Sequence, residues 1–120
     1  MRKRVSLLLA APLLGACLAG PAQAAEEKKE MPGQAIAFDN KKGNCLACHS
    51  IPGDPKADTM ANIAPPLVAM KSRYPDRAKL RDQIWDASKA NPRTSMPPFG
   101  KHKIVTEQEL DKIVDYIQSL

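Results

Sequence analysis

Apolar residues recur with helical spacing near the C-terminal end of the chain. Four of them follow the i, i+3, i+4, i+7 spacing of a single helix face: Leu110, Ile113, Val114 and Ile117. Thr106 precedes this face, and Glu109 follows Thr106 by three residues, which is the spacing of a capping box. The pattern predicts a last amphipathic helix that begins just after Thr106.

Earlier segments predict shorter helices separated by Pro-rich loops. Leu80, Ile84 and Trp85 share one face of a helix predicted from about residue 76 to residue 89, and Pro75 suits the N1 position at its start. Further helices are predicted over 34–41 and 67–73, and loops over 50–66 and 90–103, where most of the 11 Pro residues lie. No segment shows a convincing strand pattern. The predicted fold class is therefore all-α, with about four helices and long Pro-rich loops.

The N-terminal part of the chain has the pattern of an export signal. Residues 1–24 combine a basic start, an uncharged apolar run and a small-residue cleavage site at 22–24, which predicts a cleaved signal peptide and a periplasmic protein without stable membrane insertion. Residues 25–33 are charged and predict a flexible leader, so the domain spans 34–120. Cys17 ends a segment that resembles a bacterial lipoprotein box, and the alternative is a protein lipidated at Cys17.

Size and charge exclude several classes of protein. The 120 residues carry 18 basic and 13 acidic side chains, but three of the basic residues lie at 2–4 and leave with the signal, so the mature chain has 15 against 13, a net charge of +2. That balance gives little support for the basic face of a nucleic-acid-binding domain, and no nucleic-acid partner is expected. Aromatic residues make up only 4% of the chain, which favours a small domain folded around a large prosthetic group.

The chemistry of the mature chain is concentrated at Cys45-Leu46-Ala47-Cys48-His49, the C-x-x-C-H signature of c-type haem attachment. In this motif the two thiols form thioethers with the haem vinyl groups, and the adjacent His ligates the iron. A thioredoxin-like redox pair would require a preceding strand, and a zinc site would require further Cys or a spaced His pair. The motif therefore predicts one covalent haem c, attached at Cys45 and Cys48 and ligated by His49.

The second axial iron ligand is predicted from spacing. Met96 follows His49 by 47 residues, enough for two helices and a return on the opposite haem face, and the two Pro residues after it stiffen its loop. Met60 and His102 remain the alternatives. Ligation by both His and Met closes the iron to substrate and predicts electron transfer. The carbonyl of Pro65 is predicted to accept a hydrogen bond from the His49 ring.

These features resemble the class I cytochromes c. The shared ones are the haem motif, the Ala64-Pro65-Pro66-Leu67 turn, and a Met before a C-terminal amphipathic helix. In that family a Gly-Pro-x-Leu turn supplies the carbonyl to the haem His, and Ala64 stands here at the position of the Gly. The segment 90–109 around Met96 more narrowly resembles the SoxX family, the small monohaem subunits of the SoxAX cytochromes of sulfur-oxidising bacteria. This similarity extends over 34–120.

The resemblance implies a class I cytochrome c fold with about four helices around one covalently attached haem. It implies an electron-transfer subunit of an L-cysteine S-thiosulfotransferase, with no catalytic residue of its own and with His49 and Met96 as axial ligands. The implied partners are a larger SoxA-like cytochrome, the SoxYZ carrier whose cysteine is coupled to thiosulfate, and a small soluble acceptor cytochrome.

Two other functions fit the residues. One is a free-standing periplasmic electron shuttle that is not tied to sulfur oxidation, and the other is a catalytic or gas-sensing monohaem protein with an open sixth position. Four lysines flank the haem motif and the Met96 segment: Lys41, Lys42, Lys101 and Lys103. A positive rim formed by them would orient an acidic partner.

Overall fold

The computed structural model describes residues 31–58 and 61–120. Within these ranges the chain forms four α-helices: α1 (Gly33–Phe38), α2 (Met70–Arg73), α3 (Arg77–Trp85) and α4 (Glu107–Gln118). Two short 3-10 turns, Cys45–Ala47 and Ala87–Lys89, complete the helical structure, and no strand is found in these residues. The all-α prediction is confirmed. The predicted signal peptide and most of the predicted leader lie outside the described residues.

Helix α4 is the largest element and supplies one wall of the core. Its four predicted apolar residues are all buried, with exposed fractions of 3% or less. The capping box is confirmed: the Thr106 hydroxyl accepts a hydrogen bond from the Glu109 N–H, and the Glu109 carboxylate accepts one from the Thr106 N–H. Burying each such apolar side chain stabilises the fold by roughly 1.5–3 kcal/mol.

Helix α1 crosses α4 at very short range. A Cβ atom on Gly33 would lie 2.0 Å from the carbonyl oxygen of Lys112, so the crossing requires glycine. One turn along, the rings of Phe38 and Tyr116 meet edge to face at a centroid distance of 5.8 Å. The first and last helices of the domain are therefore in direct backbone contact.

Helix α3 is joined to α4 by arginine–carboxylate pairs. Arg77 Nε donates to Asp115 at 2.6 Å, and Arg81 contacts both Asp111 at 2.8 Å and Glu107 at 3.2 Å. These side chains are between 26% and 73% exposed to solvent, so each pair contributes about 1 kcal/mol or less. Their main effect is to set the register of the two helices.

The loop after the haem motif is tied to both α1 and α4 through Asp54. Its carboxylate accepts hydrogen bonds from the Gln34 amide and, at 2.6 Å, from the Tyr116 hydroxyl. These bonds lower the pKa of Asp54, while burial and the same carboxylate raise the pKa of Tyr116. Ile51, 1% exposed, anchors the start of this loop in the core.

Both ends of α3 and both ends of α1 differ from the sequence predictions, as does the start of α2. Pro75 was predicted at the first position of α3, which is wrong: Asp76 is the N-cap, its side chain accepting from the Ala78 N–H, and Arg77 is the first helical residue. At the other end, Asp86 leaves the helical conformation and caps a 3-10 turn, so α3 stops four residues short of the predicted Lys89. Helix α1 begins one residue earlier than predicted and ends three earlier.

No helix in the part of the chain that the structure describes is both long and apolar enough to cross a membrane.

Candidate functional site

The Cys45–His49 segment forms a single tight turn. Asn44 enters it with a left-handed backbone (φ 48°), Cys45–Ala47 form the 3-10 helix, and the Cys45 carbonyl accepts from the Cys48 N–H at 3.2 Å and from the His49 N–H at 2.9 Å. Asn tolerates this conformation better than most residues. The turn therefore brings two thiols and an imidazole together, in the order in which they occur in the chain.

Gly43 fixes this turn against α1. Its N–H donates to the Ile36 carbonyl at 3.1 Å, and a Cβ atom at Gly43 would lie 2.8 Å from Ile36 O and from Ala37 Cα. Only a residue without a side chain allows this approach, so the haem motif is held directly on the first helix.

Both cysteines of the motif are free thiols and are partly buried. Burial raises the pKa of the free Cys45 thiol to about 11, with a smaller contribution from Cys48. Cys45 and Leu46 pack against the buried core. The two thiols are therefore available for thioether bonds and do not form a disulfide with each other.

The His49 ring is oriented by the segment that contains Pro65. His49 Nδ1 lies 2.7 Å from the Pro65 carbonyl oxygen. Because a carbonyl only accepts hydrogen bonds, Nδ1 is the donor, and Nε2 is the ring nitrogen left to bind a metal. Two backbone bonds hold the segment beside the motif, from Ala64 N to the Cys48 carbonyl at 3.0 Å and from Leu67 N to the Ser50 carbonyl at 2.9 Å.

Ala64 occupies this turn without strain. Among the described residues, the non-glycine positions with positive φ are Asn44, Ala69 and Lys103, and Ala64 is not one of them. The turn that approaches His49 therefore does not need the glycine that class I cytochromes c have at this position.

Met96 lies in the loop between α3 and α4. Its side chain is half-buried and packs against the core, and its N–H donates to the Thr94 hydroxyl at 3.1 Å. Of the two alternative ligands, His102 is exposed, and Met60 lies outside the described residues. Met70 is 3% exposed and belongs to the core.

The end of the Met96 loop is fixed against the end of α3 by contacts that the sequence analysis did not identify. The Gly100 and Lys101 N–H groups both donate to the Trp85 carbonyl at 3.2 Å, and a Cβ atom on Gly100 would lie 2.0 Å from the Trp85 ring. Lys101 Nζ lies 2.9 Å from the carboxylate of Asp86, which is only 2% exposed. A polar residue directly after an apolar helix face was the only sequence signal of this buried carboxylate.

Two of the four lysines proposed for a positive rim are held in ion pairs. Lys42 pairs with Glu109 of α4, and Lys101 pairs with Asp86. Both contacts lower the pKa of the carboxylate concerned. The positive charges of Lys42 and Lys101 are therefore partly neutralised by carboxylates of the same domain.

The donor set fits a covalently bound haem. It contains two free thiols on one turn, an imidazole whose Nδ1 is bonded to a carbonyl so that Nε2 is left to bind a metal, and a thioether on a separate loop. Leu46, Phe38, Trp85 and Met96 add partly buried apolar surface next to the core. Within residues 31–58 and 61–120, no three His, Cys, Asp or Glu side chains form a metal cluster of their own.

Comparisons with known proteins agree with this chemistry. The family model for cytochrome c matches residues 30–120. The crystal structure of SoxXA from P. pantotrophus is similar, with a TM-score of 0.65 and 27% identity over 72% of this chain and 77% of that one.

An uncharacterized lipoprotein of Aquifex aeolicus (strain VF5) is 35% identical over 78 residues, which are 65% of this chain. The match spans 37% of the length of that lipoprotein. The family match and the likeness to SoxXA assign the fold and the cofactor: the chain belongs to the cytochrome c family and is a SoxX-like monohaem cytochrome that binds haem c covalently.

Proposed function

We propose that this chain is the electron-transfer subunit of a SoxAX-type L-cysteine S-thiosulfotransferase. The observation that carries the proposal is the structural similarity to SoxXA, at 27% identity and a TM-score of 0.65. In this role the chain accepts electrons released when thiosulfate is coupled to a cysteine of a SoxYZ carrier, and passes them to a small soluble cytochrome. The haem supplies one-electron redox chemistry when bound, and the protein supplies its attachment, ligation and docking surface.

The proposed haem site has Cys45 and Cys48 as attachment points and His49 and Met96 as axial ligands. The Pro65 carbonyl supports the His49 assignment, since it fixes the ring through Nδ1 and leaves Nε2 toward the metal. Met96 is half-buried beside the core whereas His102 is exposed, and this difference supports Met96 as the second axial ligand. Met/His ligation raises the reduction potential compared with two imidazoles, as an electron acceptor requires.

Substitution of each candidate Met tests the ligand assignment. Met96→Ala should abolish the weak red sulfur-to-iron absorption of the oxidised protein, because the thioether is its source, whereas Met60→Ala should leave it intact. Met70→Ala is the matched control for a buried Met that belongs to the core. Loss of the absorption in Met60→Ala alone would transfer the assignment to Met60.

Carbon monoxide distinguishes this carrier from a sensor with an open sixth position. Carbon monoxide added to the reduced wild-type protein should change the spectrum little, while the Met96→Ala variant should bind it promptly. Prompt binding by the wild type would favour the sensor.

Copurification from the native host tests the complex. A larger SoxA-like cytochrome should copurify with this chain, and the purified pair should couple thiosulfate to a SoxYZ cysteine when an oxidised small cytochrome is supplied to accept the two electrons released. A chain that purifies alone and only exchanges electrons with other cytochromes would instead be the free-standing shuttle.

We further propose that the chain is exported to the periplasm and cleaved after Ala24. The similarity to a lipoprotein keeps lipidation at Cys17 as the competing outcome. The intact mass of the mature protein separates the two, because it gives either an N-terminus at Ala25 or a lipid-modified Cys17.

A further inference from the structure

The buried carboxylate of Asp86 has no role in haem attachment or ligation, yet it is one of the most deeply placed polar groups of the described chain. Its side chain is 2% exposed, while that of its partner Lys101 is 55% exposed. A buried carboxylate is costly unless charge and hydrogen bonds compensate it. Here the Ser88 N–H and hydroxyl bond one oxygen and the Lys101 ammonium pairs with the other, so Asp86 is fully partnered.

The two partners of Asp86 belong to different parts of the chain. Ser88 lies in the 3-10 turn that directly follows α3, so its bonds are local. Lys101 lies at the end of the Met96 loop, so this contact joins the loop to the helix. The Gly100 and Lys101 N–H groups also donate to the carbonyl of Trp85, the residue before Asp86. Together these contacts fix residues 99–101 to the end of α3.

The covalent path from this fixed point back to Met96 is short and stiff. Between Met96 and the buried Phe99 lie only Pro97 and Pro98, whose rings lock φ near –65°. These two locked φ angles reduce the conformational freedom of the chain between Met96 and the Lys101 anchor. We therefore expect a displacement at Lys101 to shift the Met96 backbone.

We propose that Asp86, acting through Lys101, is a positioning residue that holds the Met96 thioether at the iron. This inference rests on the proposed ligation by Met96. The pair acts on the geometry of the loop, so its loss should weaken the sulfur–iron bond even in a folded protein that keeps its haem. Within residues 31–58 and 61–120, the Asp86 carboxylate pairs with Ser88 and Lys101, which are neither haem ligands nor attachment points.

Competition by imidazole for the oxidised iron tests this proposal, because added imidazole binds only when Met96 leaves. Lys101→Ala should tighten apparent imidazole binding by about tenfold or more, because it leaves the buried Asp86 carboxylate without its cation. Asp86→Asn should tighten it too, because it removes the charge that holds Lys101 at the end of α3. Both should also weaken the red sulfur-to-iron absorption and lower the reduction potential. The exposed Lys101 side chain makes Lys101→Ala the variant that keeps the fold if Asp86→Asn does not.

A matched control separates positioning from general stability. Asp111→Asn removes a carboxylate from the pairs that join α3 to α4, which include no residue of the Met96 loop, and should lower the unfolding temperature without changing imidazole affinity. A double-mutant cycle adds that Lys101→Ala should have little further effect in the Asp86→Asn background. Unchanged imidazole affinity in both single variants, or fully additive effects, would overturn the proposal.

The same experiment distinguishes this inference from the ligand assignment. If the wild type shows no red absorption and Met96→Ala changes nothing, Met96 is not the ligand and both proposals fall. If Met96→Ala behaves as expected while the Asp86 and Lys101 variants match the wild type, the ligand assignment stands and only the positioning role is wrong.

Discussion

Gly100 lies directly against the Trp85 ring, and the absence of a side chain makes that contact possible. Gly100→Ala would place a Cβ atom 2.0 Å from the ring, so the ring or the loop must shift. We expect a loss of roughly 1–3 kcal/mol in the free energy of unfolding, measured by urea denaturation of the haem-loaded protein.

Gly53 provides the control for this substitution. A Cβ atom there meets nothing within 4 Å, and the backbone has no positive φ, so Gly53→Ala should be neutral or slightly stabilising. Equal losses in the two variants would show that the Trp85 contact has no special effect.

At the residue scale, the sequence predicted the haem motif and the proximity of Pro65 to His49, because the motif is local and the turn has a strong Pro signal. It did not predict the pairing of Lys101 with Asp86. Charge on a lysine is visible in a sequence, but burial of its partner depends on how α3 ends and where the Met96 loop returns. Both depend on the tertiary structure, and neither produces a recognisable pattern in the local sequence.

The N-terminus of α4 is stabilised by its capping box. Thr106→Ala removes the hydroxyl that accepts from the Glu109 N–H, leaving a helix N–H without its partner. We expect a loss of about 0.5–2 kcal/mol, seen as a lower midpoint in thermal unfolding followed by circular dichroism. Ser72→Ala, at an exposed position of α2, should shift the midpoint little, and an equal shift in the two variants would contradict a role for the cap.

At the element scale, α4 was predictable because its apolar spacing, cap and acidic first turn all agree. Helix α2 was less predictable: the sequence predicts its start at residue 67, but the helix begins at Met70. Ala69 before it has a left-handed backbone (φ 50°), and the Met70 N–H donates to the Leu120 carbonyl at 2.8 Å. A distant partner at the end of the chain sets this boundary, so no window of local sequence contains the information.

The molecule as a whole should lose stability in acid, because three carboxylates that join distant segments have lowered pKa values in the folded state. They are Asp54, Asp86 and Glu109. A lowered folded pKa means that the stabilisation is fully present above the unfolded pKa and is lost as the pH falls through the folded value. The free energy of unfolding should therefore be steady above about pH 5 and fall below about pH 4.

Glu109→Gln isolates one of these contributions. Lys42 is the main cause of the lowered pKa of Glu109, followed by the Thr106 N–H, and neither pairs with a charge in the variant. Urea denaturation between pH 3 and pH 7 should show a smaller difference between wild type and variant at the acid end, because protonation removes the charge from the wild type as well. A difference that stays constant over this range would show that the Glu109 charge does not contribute.

The close crossing of α1 and α4 also constrains the order of events during maturation. Gly33 and Lys112 lie near opposite ends of the described chain, so their contact closes a loop that contains both cysteines of the haem motif. Once that loop is closed, Gly43 holds the turn on α1 and the Cys45 thiol is partly buried. We therefore expect thioether formation to be fastest on a chain whose two ends have not yet met, so that the newly synthesised polypeptide receives its prosthetic group first and acquires its final shape around it.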